Sequence, residues 1–515
     1  MGKASTFYRH KIGADGNPPL MLGFRDIIIE PGRTEFDVTK VKYDMSAKIG
    51  PYTLKYPALS SAMDTVTEEE MAVKMALYGG AGVVHRNFGK SGNSPEVNEK
   101  IQFEAQLKIA KKIKRTRSNM VMDVTKVKPD DTIQYARTIM ENLGISGLVV
   151  VDDNDCFKGI LTKRDVRVPK CLESNYSIVS DAMTSKENVV WAREGISNEE
   201  AEKMMYLNGR IEKLPVLKES GEIAGLMTLK DMHTDYPDAA LDEQGRLLCF
   251  MAVSHFKPKN SENFKLLKEL DTYVDVLFTD VADFYKIPDI ESAKWIMEEL
   301  NNYWVVGNIG TYAAMEFLAT KAEFPEDKWV GVKVGMGSGS TCITTLQTGF
   351  GSPTLYATAC VADAMVDYGL KDKLALIADG GFEHPGDIPK AFVVGADLIM
   401  SGHYYAGTTE SPGYIDTIGG RKMKVYRGMG SREARMAGNI GERYGINTEK
   451  VKEQVPEGIS TYVPYVGDLS RVVSDHISAL RQSMGYGGVL KISEFQKLMF
   501  GRSTPAGQYE AAPHV

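Results

Sequence analysis

Short apolar, β-branched runs recur along the chain, with helical patterns between them. The runs read YPALSSA (56–62), GAGVVHR (80–86), LLCFMAV (247–253), VDVLFTDV (274–281), YWVVGNI (303–309), WVGVKVG (329–335), LALIADGG (374–381) and ADLIMSG (396–402). Stretches such as TEEEMAVKMALYG (67–79) and IESAKWIMEELN (290–301) space their apolar residues as one face of a helix instead. Continuous apolar strands that alternate with helices are the pattern of a parallel sheet covered by helices. Eight of them predict an α/β fold, a closed (β/α)8 TIM barrel. An open doubly wound sheet would carry a dinucleotide fingerprint at its first strand–helix turn, and none stands there.

One gap breaks the rhythm, between Arg117 and LLCFMAV, and it holds an internal repeat. GLVVVDDNDCFKGILTKRD (147–165) matches KLPVLKESGEIAGLMTLKD (213–231). Each has a strand, an acidic turn, a second strand and then Gly-x-x-Thr-x-x-Asp: Gly159/Thr162/Asp165 and Gly225/Thr228/Asp231, offset by 66 residues. Each follows a helical stretch, DDTIQYARTIMENLG and SNEEAEKMMYLNG. A repeat marks a duplicated unit that buries its core against its twin. The layout resembles a tandem CBS pair. That resemblance implies a site for adenine or guanine nucleotides near Thr162, Asp165, Thr228 and Asp231; the plainer reading is that Thr and Asp cap the next helix. The expected domains are therefore residues 1–117 and 236–515 for the two parts of the barrel, with 118–235 as a tandem CBS (Bateman) insertion. The glycine-rich, polar stretch at about 403–465 suits an active-site flap.

Composition narrows the class. The chain has 515 residues, 43% of them hydrophobic, and a net charge of −7. Nothing in that balance favours nucleic acid or an anionic membrane. No apolar run approaches the ~18–20 residues of a membrane span. Five cysteines are scattered without a CxxC pair, which argues against zinc and disulfides and for a reducing, cytoplasmic setting.

The unusual motifs fall just after the strands, where barrel enzymes place their chemistry. SSAMD (60–64) follows the first, HRN (85–87) the second, and Asp280 ends the fourth. Asn308 ends the fifth, GMGSGSTC (335–342) follows the sixth, DGG (379–381) the seventh and SGH (401–403) the eighth. Glycine-rich turns let backbone N–H groups converge on an anion, so Ser340, Gly381 and Gly402 are candidates to hold one phosphate. Asp379 suits a ribose diol, because a carboxylate accepts two hydroxyl hydrogen bonds; it is otherwise a turn residue. Cys342 lies beside Ser340, Thr341 and Thr344 rather than in apolar packing. Nearby N–H groups would favour its thiolate. Read locally, it is either a nucleophile or filler.

Several motifs in order carry a specific resemblance. GMGSGSTCIT, DTVTE after SSAM, HRN, VGN, ADGG, YRGMGS, the Arg443-Tyr444 pair and EGISTYVPYVG resemble the IMP dehydrogenase/GMP reductase family over nearly the whole chain. The resemblance implies NAD-dependent oxidation of IMP to XMP in guanine nucleotide biosynthesis, by a homotetramer or octamer. It makes Cys342 the nucleophile that attacks C2 of the purine. Arg443, with Tyr444 and Thr344, then activates the water that hydrolyses the covalent intermediate. An arginine base is chemically odd, since its pKa is far above neutral. By the same resemblance Ser61, Ser340, Asp379, Gly381, Gly402, Tyr426, Gly428, Met429, Gly430 and Glu457 line the nucleotide site. Asp280, Asn308 and Gly335 fall on the cofactor side. The carbonyls of Gly337, Gly339 and Cys342 match the family's potassium site.

The chain also departs from the family pattern. VADFYK follows Thr279-Asp280 where a glycine is usual, His403 stands where many members have serine against the phosphate, and Ala62 replaces a common proline. A protonated imidazole at His403 would serve the phosphate. HPGDIPKAF and VAD lean towards GMP reductase, the sister enzyme that reductively deaminates GMP with NADPH. ERYG favours the dehydrogenase. A non-catalytic nucleotide sensor would require loss of Cys342 or Arg443, and both are present.

Overall fold

The computed structural model describes residues 20–89, 93–116, 124–142, 145–166, 177–229, 236–254, 257–437 and 455–513. Arg443, Tyr444 and Asp231 lie outside the described residues. The chain divides into two compact units, Lys114–Pro237 and the remainder.

The larger unit is built on eight strands: β1 (Ala58–Ser60), β2 (Ala81–Val84), β3 (Phe250–Val253), β4 (Val276–Thr279), β5 (Tyr303–Ile309), β6 (Trp329–Val334), β7 (Ala375–Asp379) and β8 (Leu398–Ser401). They form a closed barrel. All neighbours pair in parallel, and β8 closes on β1 through Ile399↔Ala58, Met400↔Leu59 and Ser401↔Ser60. The eight apolar runs of the sequence are these eight strands. Their residues are nearly all buried, as expected for strands packed on both faces. Phe250 and Phe278 on adjacent strands have ring centroids 5.7 Å apart and are almost wholly buried; each such ring contributes about 1.5–3 kcal/mol.

Helices cover the barrel: α1 (Glu69–Leu77), α2 (Pro95–Arg115), α3 (Ser261–Asp271), α4 (Ile287–Glu299), α5 (Tyr312–Lys321), α6 (Thr354–Asp367), α7 (Asp387–Val393) and α8 (Leu469–Gly487). Their starts are chemically marked. Asn260 accepts from the N–H of Asn263 at 2.8 Å, Thr311 from Ala314 at 3.1 Å and Asp468 from Ser470 at 2.8 Å. Between β8 and α8 the chain forms a three-stranded antiparallel sheet: β9 (Ile415–Ile418), β10 (Arg421–Arg427) and β11 (Ser460–Pro464). The stretch expected as a flap thus has ordered strands at its base.

The smaller unit displays the repeat as geometry. Gly147–Val151 pairs antiparallel with Phe157–Thr162, and Lys213–Leu217 with Ile223–Thr228. Gly147↔Thr162 and Val150↔Gly159 recur 66 residues on as Lys213↔Thr228 and Val216↔Gly225, and the bulge recurs too. A helix precedes each hairpin, Ile133–Asn142 and Asn198–Leu207.

Candidate active site

The C-terminal ends of the barrel strands open into a cleft of about 1060 Å³, its mouth included. It collects residues from the ends of all eight strands and from the antiparallel sheet. Ser61, Asp280, Asn308, Gly335, Gly337, Gly339, Ser340, Cys342 and Thr344 line it. So do Asp379, Gly381, Gly402, His403, Tyr426, Gly428, Met429, Gly430 and Glu457. Thr162, Asp165 and Thr228 belong to the smaller unit. There the Thr162 N–H and hydroxyl both donate to Asp165 Oδ2 at 2.7 Å, so this pair closes its own turn. A second concavity in that unit is lined by Trp191, Arg193, Lys203 and Leu207 among others, and by none of these three residues.

The turn after β6 is fixed by its own bonds and by the sheet beside it. The Cys342 N–H donates to Gly339 O at 2.8 Å, and Ile343 N–H to Glu457 O at 2.9 Å. Ile459 N–H donates to Thr341 O at 2.9 Å, and Gly428 N–H to Ile459 O at 2.9 Å. Cys342 is thereby bridged to Gly458. Its sulfur lies 3.2 Å from Thr344 Oγ1, and Thr344 is buried. The Ser340 hydroxyl donates to Tyr426 Oη at 3.3 Å. Burial raises the Tyr426 hydroxyl above its ordinary value, so it stays protonated.

His403 stands at the same wall. Burial lowers its pKa from the ordinary histidine value; Glu383 opposes that and His384 adds to it. A charged imidazole here needs a bound anion to offset the burial.

Two arrangements escaped the sequence reading. Lys333, inside β6, is buried, with its Nζ 2.7 Å from Asp379 Oδ2 and bonded to Asn308 Oδ1. The signal was present as a single charge within WVGVKVG. Arg427, ending β10, makes a two-pronged pair with Asp64, Nε at 3.0 Å and Nη2 at 2.7 Å. Asn87 Nδ2 donates to the same carboxylate at 2.7 Å and to Ala434 O at 3.1 Å. The loops after β1 and β2 are thus tied to the antiparallel sheet. Only a long-range contact reveals this, so no local pattern announced it.

The chain matches the profile described as "IMP dehydrogenase / GMP reductase domain" over residues 21–514. It belongs to the IMP dehydrogenase/GMP reductase family. Inosine-5'-monophosphate dehydrogenase of Korarchaeum cryptofilum is 41% identical over 494 residues, covering 95% of this chain and 96% of the relative. That of Methanocaldococcus jannaschii is 38% identical over 504 residues, covering 95% and 94%. Among solved structures, a cysteine-to-alanine variant of GMP reductase from Trypanosoma brucei with guanosine 5'-monophosphate aligns at a TM-score of 0.77. It is 29% identical and covers 98% of this chain and 99% of its own. Coverage this full means that the family likeness takes in the inserted unit as well as the barrel. No helix among the described residues is long and apolar enough to cross a membrane.

Proposed function

We propose that the chain oxidises IMP to XMP with NAD as the hydride acceptor. The observation that carries the reading is Cys342: its sulfur lies 3.2 Å from the Thr344 hydroxyl, in the glycine-rich turn that also bears Ser340, and in one cleft with Asp379. Relatives named inosine-5'-monophosphate dehydrogenase, matched over nearly their whole length, support it. The sulfur adds to C2 of the purine, the C2 hydrogen leaves as hydride to the nicotinamide of the second substrate, and a thioimidate remains. Water then attacks the same carbon and the thiol departs.

The residues divide by task. Ser340, Gly381, Gly402, His403 and Tyr426 hold the phosphate, and Asp379 takes the ribose hydroxyls. Ser61, Gly428, Met429, Gly430 and Glu457 wall the purine. Asp280 and Gly335 face the dinucleotide. Arg443 and Tyr444, with Thr344, activate the water. A potassium ion would sit on the carbonyls of Gly337, Gly339 and Cys342, where it would stiffen the turn that carries the nucleophile. Gly339 O accepts the Cys342 N–H and keeps a second lone pair that such an ion would take. We read the smaller unit as a CBS pair for regulatory purine nucleotides, the assembly as a homotetramer or octamer, and the setting as cytoplasmic.

A second reading is GMP reductase carrying the same insertion. The Trypanosoma brucei neighbour and the HPGDIPKAF segment favour it. There the hydride travels from NADPH to the purine, and ammonia leaves. A paired assay decides. NADH formed from IMP and NAD in potassium buffer, with no NADPH consumed with GMP, is the expected result. The reverse pattern establishes the reductase, and silence in both assays refutes both readings.

A further inference from the structure

Lys333 is the fifth residue of β6, and it is only 4% exposed inside the barrel. A buried ammonium needs acceptors, and it has two. Its Nζ bonds Asn308 Oδ1 and lies 2.7 Å from Asp379 Oδ2. Asn308 closes the set, with its Nδ2 donating to Gly335 O at 2.7 Å and to Asp379 Oδ2 at 3.1 Å. Both hydrogens of that amide are therefore used within the protein. Asp379 Oδ2 receives two donors, while Oδ1 meets no donor among the described residues.

The register builds this arrangement. Asn308, Lys333 and Asp379 lie on the adjacent strands β5, β6 and β7, and Gly307 stands opposite Lys333. A Cβ at Gly307 would come within 2.5 Å of the Lys333 carbonyl oxygen and 2.9 Å of the Lys333 Cβ. Only glycine leaves that room.

We propose that Lys333 is a positioning residue for nucleotide recognition: with Asn308 it holds Oδ2 of Asp379 and leaves Oδ1 to accept the sugar hydroxyls of a purine ribonucleotide. The proposal rests on the reading that the cleft binds IMP. It makes Asn308 part of the same scaffold rather than a direct cofactor contact.

The test is the affinity of the full chain for IMP and for its 2′,3′-dideoxy analogue, measured by calorimetry in wild type, Lys333→Met and Lys333→Arg. A charge-assisted contact to a hydroxyl is worth about tenfold or more in affinity. The expected result is that Lys333→Met weakens IMP about tenfold and the dideoxy analogue less than about twofold, and that Lys333→Arg recovers most of the loss. In turnover, KM for IMP should rise by a larger factor than kcat falls. Equal weakening of both nucleotides, or of neither, overturns the proposal. If wild type binds no IMP, the reading of the cleft itself fails, and the proposal with it. Should Lys333→Met not fold, Lys333→Leu, which likewise offers Asp379 no donor, carries the same comparison.

Discussion

At the scale of single residues, the proposed function asks two things of the turn after β6, an anion cradle and a nucleophile, within eight positions from Gly335 to Cys342. Cys342→Ser keeps the size of the side chain and removes the thiolate. IMP should still bind within about tenfold of wild type, while NADH production and the protein–nucleotide adduct seen by mass spectrometry should both vanish. Retained turnover would take Cys342 out of the chemistry. Gly335 shows how tightly the turn is built. Its φ is +147°, and an added Cβ would lie 2.2 Å from the backbone oxygen of Asp379. Gly335→Ala should therefore cost about 2–4 kcal/mol in urea unfolding and weaken IMP binding by displacing Asp379. A loss below about 0.5 kcal/mol, the level of an ordinary surface change, would contradict this. Cys342 and Asp379 stood out as candidates because each follows a barrel strand, and the structure brings both into one cleft. Lys333 was not, because one charge in an apolar run reads as strand until its partners on β5 and β7 are known.

At the scale of elements, the antiparallel sheet is more firmly seated than its polar, glycine-rich sequence suggests. β10 and β11 pair from Met423↔Pro464 to Arg427↔Ser460. Lys424, buried on β10, donates to Thr408 O at 2.7 Å and Ser411 O at 2.5 Å, and so joins β10 to the segment after β8. Arg427 joins its end to Asp64. The Asp64 carboxylate is nearly buried and Arg427 is a quarter exposed, so losing the charge should cost about 1–3 kcal/mol. That loss should appear locally. Asp64→Asn should speed proteolysis within residues 415–437 several-fold and lower kcat more than it raises KM for IMP, because β10 leads in sequence to Arg443 and Tyr444, the pair proposed to activate the water. Unchanged cleavage and kcat would show that Asp64 does not anchor the sheet. Hydrophobic periodicity exposes helices and buried strands, but it is silent on a two-sided polar hairpin whose order comes from contacts hundreds of residues away.

At the scale of the whole molecule, the barrel was legible because strands buried on both faces leave uninterrupted apolar runs, and the insertion because its 66-residue repeat governs strand register. Closure followed from the count of eight strands, but the side chains that seal β8 against β1 come from opposite ends of the chain and left no local pattern. Tyr56 precedes β1, Tyr405 follows β8, and their hydroxyls lie 2.9 Å apart. His476 on α8 shares a 2.7 Å hydrogen bond with Tyr56 Oη and packs on Tyr404 with centroids 4.3 Å apart. Burial lowers the imidazole from 6.5 to about 4, and neighbouring Asp475 opposes only in part. Above pH 6.5 the folded and unfolded chains both hold this histidine neutral, and its contribution is complete. Between 6.5 and about 4 the unfolded chain takes up a proton that the folded one refuses, so stability falls. Below about 4 the loss is finished, at about 3 kcal/mol in total. His476→Gln cannot titrate, although its amide oxygen can still accept from Tyr56. Denaturant midpoints of wild type should therefore fall more steeply than those of the variant from pH 6.5 to 4, with the two curves parallel above 6.5. Curves that stay parallel throughout would mean that the seam between β8 and β1 opens to water, and that His476 takes up its proton without unfolding the barrel.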